Sequence, residues 1–121
     1  MSRPVSLALA QLPPVSQFSE FQERLEHEVR AHPSSELFVY PEFHLATPPN
    51  NEVTPEFIAD AAEHLDGPRG KVLAELAGDL GIWLVPGSVY ERADDGTVYN
   101  TAVAYSPEGK LVASYRKIFP W

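Results

Sequence analysis

The sequence predicts an α/β layered domain. Leu37–Tyr40 is a short continuous apolar run, the kind found in strands covered on both faces. Elsewhere apolar residues recur at helical spacing, as at Phe18, Phe21, Leu25 and Val29. Taken in order, the segments read β-α-β-α-α-β-β-β, an alternation that layers helices against a sheet.

The first strand is expected over Val5–Gln11, ended by Pro13-Pro14. Ser16 or Ser19 then caps a helix running to about Arg30, with Glu20, Glu23, Arg24, Glu26 and Glu28 on its other faces. His32-Pro33 closes it, because a residue preceding proline avoids the helical region. After the Leu37–Tyr40 strand, Ala46–Pro55 holds prolines and asparagines and reads as a loop. A short helix is expected over Glu56–His64, a turn at Asp66–Gly70, and a second helix over Lys71–Leu80. Gly81 suits the left-handed position that ends such a helix. Ile82–Tyr90 reads as a strand bent or bulged at Pro86-Gly87. Turns at Ala93–Thr97 and Ser106–Lys110 then separate strands Val98–Tyr105 and Leu111–Arg116. No repeat, low-complexity tract or linker divides the chain.

At 121 residues the chain is at most one domain, and its 44% apolar content supports a packed core. Seventeen acidic against nine basic residues give a net charge of −8. That disfavours nucleic acid or an anionic membrane as partner, since both require clustered positive charge. The stretch Val5–Ala10 is short for a signal peptide and Ser6 interrupts it, so it reads as a buried strand. No apolar segment approaches the roughly 20 residues that span a bilayer. With no cysteine there is no disulfide framework, thiolate metal site or thiol nucleophile in these 121 residues. The expected location is cytoplasmic.

Two charged residues stand out by position. Glu42 ends the apolar run Leu37-Phe38-Val39-Tyr40-Pro41, and Lys117 ends Leu111–Arg116 shortly before Pro120. A charge at the end of a buried strand can project into a cleft while the strand holds it rigid. A carboxylate and an ammonium so placed can act as a general base and as a cation for a developing oxyanion. The plainer reading, two solvated strand-end charges, is the commoner one for such residues considered alone.

An ordered set of segments changes that balance. The opening strand Val5–Gln11, the Tyr40-Pro41-Glu42-Phe43 step, Gly87-Ser88-Val89-Tyr90-Glu91, Tyr99-Asn100-Thr101-Ala102 and Tyr115-Arg116-Lys117 together resemble the first part of a carbon–nitrogen hydrolase of the nitrilase superfamily. The resemblance covers nearly the whole chain. It implies an αββα four-layer sandwich, of which residues 1–121 are the N-terminal half only, a partial domain that stops before the nucleophile cysteine. It also implies hydrolysis of non-peptide amide C–N bonds through a Glu-Lys-Cys triad. Glu42 matches the glutamate that activates the thiol and Lys117 the lysine that stabilises the intermediate. The cysteine is expected beyond residue 121, so the isolated chain is expected to be inactive. Pro120-Trp121 after the lysine is similar to the aliphatic amidase and formamidase branch, where Phe43 and Trp121 correspond to pocket positions.

No cofactor is implied. The partners implied are a small-molecule amide once the site is complete, and either a homo-oligomer or a complementing C-terminal half. Half a sandwich should leave strand surface uncovered around Ile82–Val85 and Val98–Tyr105. The remaining candidates carry less. His27, His32, His44 and His64 lack metal-ligand spacing, and Gly67-Pro68-Arg69-Gly70 lacks the phosphate-binding glycine pattern. Ser88 lacks the second glycine of a nucleophile elbow and reads as structural. Asn100 reads as an amide tying neighbouring strand ends. The competing function is a noncatalytic α/β interaction module or pseudoenzyme fragment, in which Glu42 and Lys117 form only a structural ion pair.

Overall fold

A computed structural model describes residues 2–118 and shows a mixed α/β fold. Its elements are β1 (Leu7–Leu9), α1 (Phe18–Ala31), β2 (Leu37–Val39), α2 (Pro55–Ala61) and α3 (Pro68–Leu80), followed by β3 (Trp83–Val85), β4 (Ser88–Arg92), β5 (Val98–Tyr105) and β6 (Leu111–Arg116). The element order agrees with the sequence reading, and the boundaries differ for local reasons. β1 is shorter than expected, although the Ala10 amide still donates to the Val39 carbonyl at 2.8 Å. Neither Ser16 nor Ser19 caps α1. Gln17 occupies the N-cap in extended geometry without a side-chain cap. Thr54 caps α2 by accepting from the Phe57 amide, and Pro55 opens the helix. α3 likewise starts at Pro68, earlier than expected, since a proline in the first turn gives up no needed hydrogen bond.

The six strands form one sheet. β1 and β3 flank β2 in parallel, and β3 joins β5 antiparallel through Leu84 and Tyr105. β4 pairs along the first part of β5, and β6 pairs along its opposite edge. β3 and β4 are thus the two arms of the expected bent strand, separated at Pro86-Gly87. Gly87 has φ 99°, and a Cβ there would lie 2.0 Å from the Pro41 carbonyl oxygen. Only glycine allows both that conformation and that approach.

Alternation in the strands sorts the side chains into two faces. Phe38, Leu84, Val103 and Tyr105 are buried on one, where they meet Phe21 and Leu25 of α1 and Leu73, Leu76 and Ala77 of α3. Among the described residues the opposite face is largely open, except where Phe43 and α2 cover Tyr90. Leu7 and Trp83, which flank Leu37 in register, are 48% and 43% exposed, and Tyr115, paired with Ala102, is 59% exposed. The uncovered surface matches the expected one only in part. Trp83 and Ala102 are exposed, whereas Ile82, Leu84, Val103 and Tyr105 are buried, and exposed apolar side chains of the sheet also lie on β1 and β6. α1 and α3 cover one side of the sheet, so each strand divides its residues between that core and the opposite face. Among the described residues, no helix is long and apolar enough to cross a membrane.

Candidate active site

Glu42 is carried by a tight turn at the end of β2. The Tyr40 amide still donates to Val85 at 2.8 Å, extending the ladder with β3. The chain then folds back, with the His44 amide donating to Pro41 at 3.2 Å and the Ala46 amide to Phe43 at 3.0 Å. Phe43 takes φ 52°, a left-handed value that strains a residue with a Cβ. Contacts with β4 help hold it there. Its amide donates to Ser88 Oγ at 3.1 Å, and its ring stacks on Tyr90 at 4.5 Å between centroids. Ser88 is buried, and it also lines the cavity described below.

Lys117 reaches the same place from β6. Its amide donates to the Asn100 carbonyl at 2.9 Å, prolonging the β5–β6 ladder by one residue. Its Nζ forms an ion pair with Glu42 Oε1, across 75 positions of sequence. Asn100 completes the group, because its Nδ2 donates to the same carboxylate oxygen at 2.7 Å. Lys117 and Asn100 hold the Glu42 carboxyl below the usual glutamate range. Both members of the pair remain partly exposed, with side-chain accessibilities of 49% for Glu42 and 38% for Lys117. Such a pair adds little to stability, so it matters mainly for the charges it places together.

These groups line an open cavity of about 260 Å³, with Tyr40, Val85, Ala102 and Tyr115 among its walls. The cavity lies on the face the helices leave uncovered. Burial pushes the Tyr40 hydroxyl up to about 12, and its oxygen has no hydrogen-bond partner among the described residues. It is therefore a neutral wall group and not a base at neutral pH. Phe43 does not line this cavity. Its ring belongs to a separate cluster with Ala46, Ala62 and Tyr90. Trp121, the other expected pocket residue, lies outside the described residues.

Sequence reasoning assigned Asn100 a tie between strands and missed its contact with Glu42. The signal was present: Asn100 is an amide inside the mostly apolar run Val98–Tyr105, two residues from Ala102 on the same face. Tyr115 was likewise overlooked as a wall. No group of three His, Cys, Asp or Glu side chains that could hold a metal ion occurs among the described residues. His44 is fully buried between Tyr40 and Phe21, and burial pushes its imidazole below its ordinary range.

Comparison with known proteins follows this geometry. The carbon–nitrogen hydrolase family model matches residues 6–121. An omega-amidase of Homo sapiens is 36% identical over 69 residues, covering 57% of this chain and 25% of that protein. A formamidase of Bacillus thuringiensis (strain Al Hakam) is 30% identical over 97 residues, covering 78% of this chain and 28% of that protein. Among solved structures, Saccharomyces cerevisiae Nit3, of the nitrilase superfamily, superposes with a TM-score of 0.76 at 24% identity, over 95% of this chain and 44% of that one. A carbon–nitrogen hydrolase from Helicobacter pylori G27 superposes with a TM-score of 0.70 at 20% identity, over 95% and 40%. The matches thus span about a quarter of the length of those curated relatives and less than half of those solved chains.

Proposed function

Because the chain belongs to the carbon–nitrogen hydrolase family, and the members similar to it include an omega-amidase and a formamidase, we propose that it carries the Glu and Lys of a Glu-Lys-Cys amidase site. The observation that supports this most directly is the meeting of Glu42 and Lys117 at one cavity. In the proposed reaction a cysteine thiol gives its proton to the Glu42 carboxylate as its sulfur attacks the amide carbon. The carbonyl electrons move onto oxygen, and the Lys117 ammonium stabilises the resulting anion. The intermediate collapses by expelling the amine, which takes the proton from Glu42. Water then cleaves the thioester, releasing the acid and restoring the thiol.

Asn100 donates a hydrogen bond to the base but does not itself titrate, so its part is to orient Glu42 and hold it ionised. The 121 residues hold no cysteine, so the thiol must come from outside them and the chain by itself is proposed to be inactive. The substrate class is a small non-peptide amide, in keeping with the amides named for the omega-amidase and formamidase relatives.

The test is ammonia release from simple aliphatic amides and formamide. The 121-residue chain should release none. A protein extended by the cysteine-bearing segment should release ammonia, and should lose this activity on thiol alkylation and in the Glu42→Gln and Lys117→Met variants. An extended protein whose activity survives alkylation or either substitution would reject the triad. An extended protein that folds but releases no ammonia from any of these amides would favour the noncatalytic module.

A further inference from the structure

Next to the candidate site, on the other face of the sheet, is a charge pair that the proposed chemistry does not use, with Glu91 buried and Arg116 half exposed. Glu91 of β4 is 7% exposed. Arg116 donates to it in a fork, Nε to Oε1 at 3.0 Å and Nη2 to Oε2 at 2.8 Å. Thr101 of β5 adds a hydroxyl at 2.7 Å, and the Arg116 guanidinium lies 4.2 Å above the Tyr99 ring. Arg116 is the immediate neighbour of Lys117, so alternation sends the two cations to opposite faces. Arg116 goes toward Glu91, and Lys117 toward Glu42 and Asn100.

That arrangement depends on strand register. Every residue of β6 is exposed, and its pairing with β5 already shifts between Ala104 and Tyr105. A slip of one residue in a strand exchanges its two faces. It would withdraw Lys117 from Glu42 and put Arg116 in its place. A guanidinium can pair with a carboxylate as readily as an ammonium can, so Glu42 alone does not select the correct register. Glu91 does, because it offers a buried two-oxygen acceptor that fits the Arg116 fork and not a single ammonium.

We propose that Glu91 and Arg116 are positioning residues that lock the β5–β6 register so that Lys117, and not Arg116, faces Glu42. The proposal rests on the functional reading of the Glu42–Lys117 pair given above, and its experiment separates the two. Only the Glu91 end of the pair is buried, and removing both partners leaves no unpaired buried charge, so the double variant Glu91→Leu/Arg116→Leu removes the lock while retaining a core. The probes are the Glu42 side-chain carboxyl titration followed by NMR and the cross-strand contacts of β5 with β6.

In the double variant the Glu42 midpoint should rise, as in Lys117→Met, and Ala102 should lose its single pairing with Tyr115. The exchanged pair Glu91→Arg/Arg116→Glu should restore both. Lys117→Met serves as control. If it leaves the Glu42 midpoint unmoved, the pairing on which the functional reading rests is wrong. If it raises the midpoint while a folded double variant keeps both the native midpoint and the native register, the positioning proposal alone is overturned. A double variant that cannot fold overturns the proposal as well, because the pair would then serve the whole fold and not the placement of Lys117.

Discussion

Gly87→Ala should disturb the site without touching a charged residue. A methyl group at position 87 would lie 2.0 Å from the Pro41 carbonyl oxygen, whereas ordinary contact begins at 3.4 Å. The obstructing atom is backbone, so relief requires the Pro41–His44 turn or the β3–β4 bend to retreat by about 1.4 Å. Two costs combine. Holding alanine at φ 99° costs about 1–3 kcal/mol, and forcing packed backbone apart costs about 1–3 kcal/mol more. The total, about 2–6 kcal/mol, is a large share of the roughly 5–15 kcal/mol that stabilises an ordinary domain. Gly81→Ala provides the reference. Gly81 has φ 65° with nothing within 4 Å of its added methyl, so it carries the strain alone, about 1–2 kcal/mol. Urea unfolding of both variants, followed by circular dichroism, measures the difference. Because Glu42 follows Pro41 directly, a folded Gly87→Ala protein should also show a raised Glu42 titration. Equal destabilisation by the two substitutions, with Glu42 unmoved, would refute the claim that close approach at Gly87 sets the turn.

Asn100→Leu should raise the Glu42 titration midpoint, because one of the two donors holding the carboxylate ionised is removed; an unchanged midpoint by NMR would contradict this. Ser88→Ala should cost about 1–3 kcal/mol in urea unfolding, since the Phe43 amide loses its acceptor at a strained position. Stability should fall as pH drops below about 6.5, because the unfolded chain protonates His44 where the folded chain, with its imidazole pushed down by burial, resists. Urea unfolding from pH 7 to 5 should show this slope flattened in His44→Leu, and an identical slope would reject His44 as its source. The chain should bind a hydrophobic dye at its open sheet face, and Leu9→Lys with Trp83→Lys should reduce that binding. Undiminished fluorescence would place the dye elsewhere.

The order of helices and strands was legible in the sequence because each element carries its own periodicity, and the turns at Gly81 and Pro86-Gly87 carry residues suited to them. Boundaries were less legible. Pro55 and Pro68 open their helices earlier than apolar spacing suggested, since capping and proline geometry act over single residues. The types of site residue, Glu42 and Lys117, could be read from strand-end position and from the ordered motifs around them. Their meeting could not be derived from spacing, because it depends on β2, β5 and β6 joining one sheet across 75 positions. Tertiary structure alone decided which face each strand residue occupies: Phe43 on Tyr90 and away from the cavity, Asn100 on Glu42, Arg116 on Glu91. The reason is physical. Local sequence fixes the period of a strand, but register and the placement of helices on one side of the sheet determine where each side chain points.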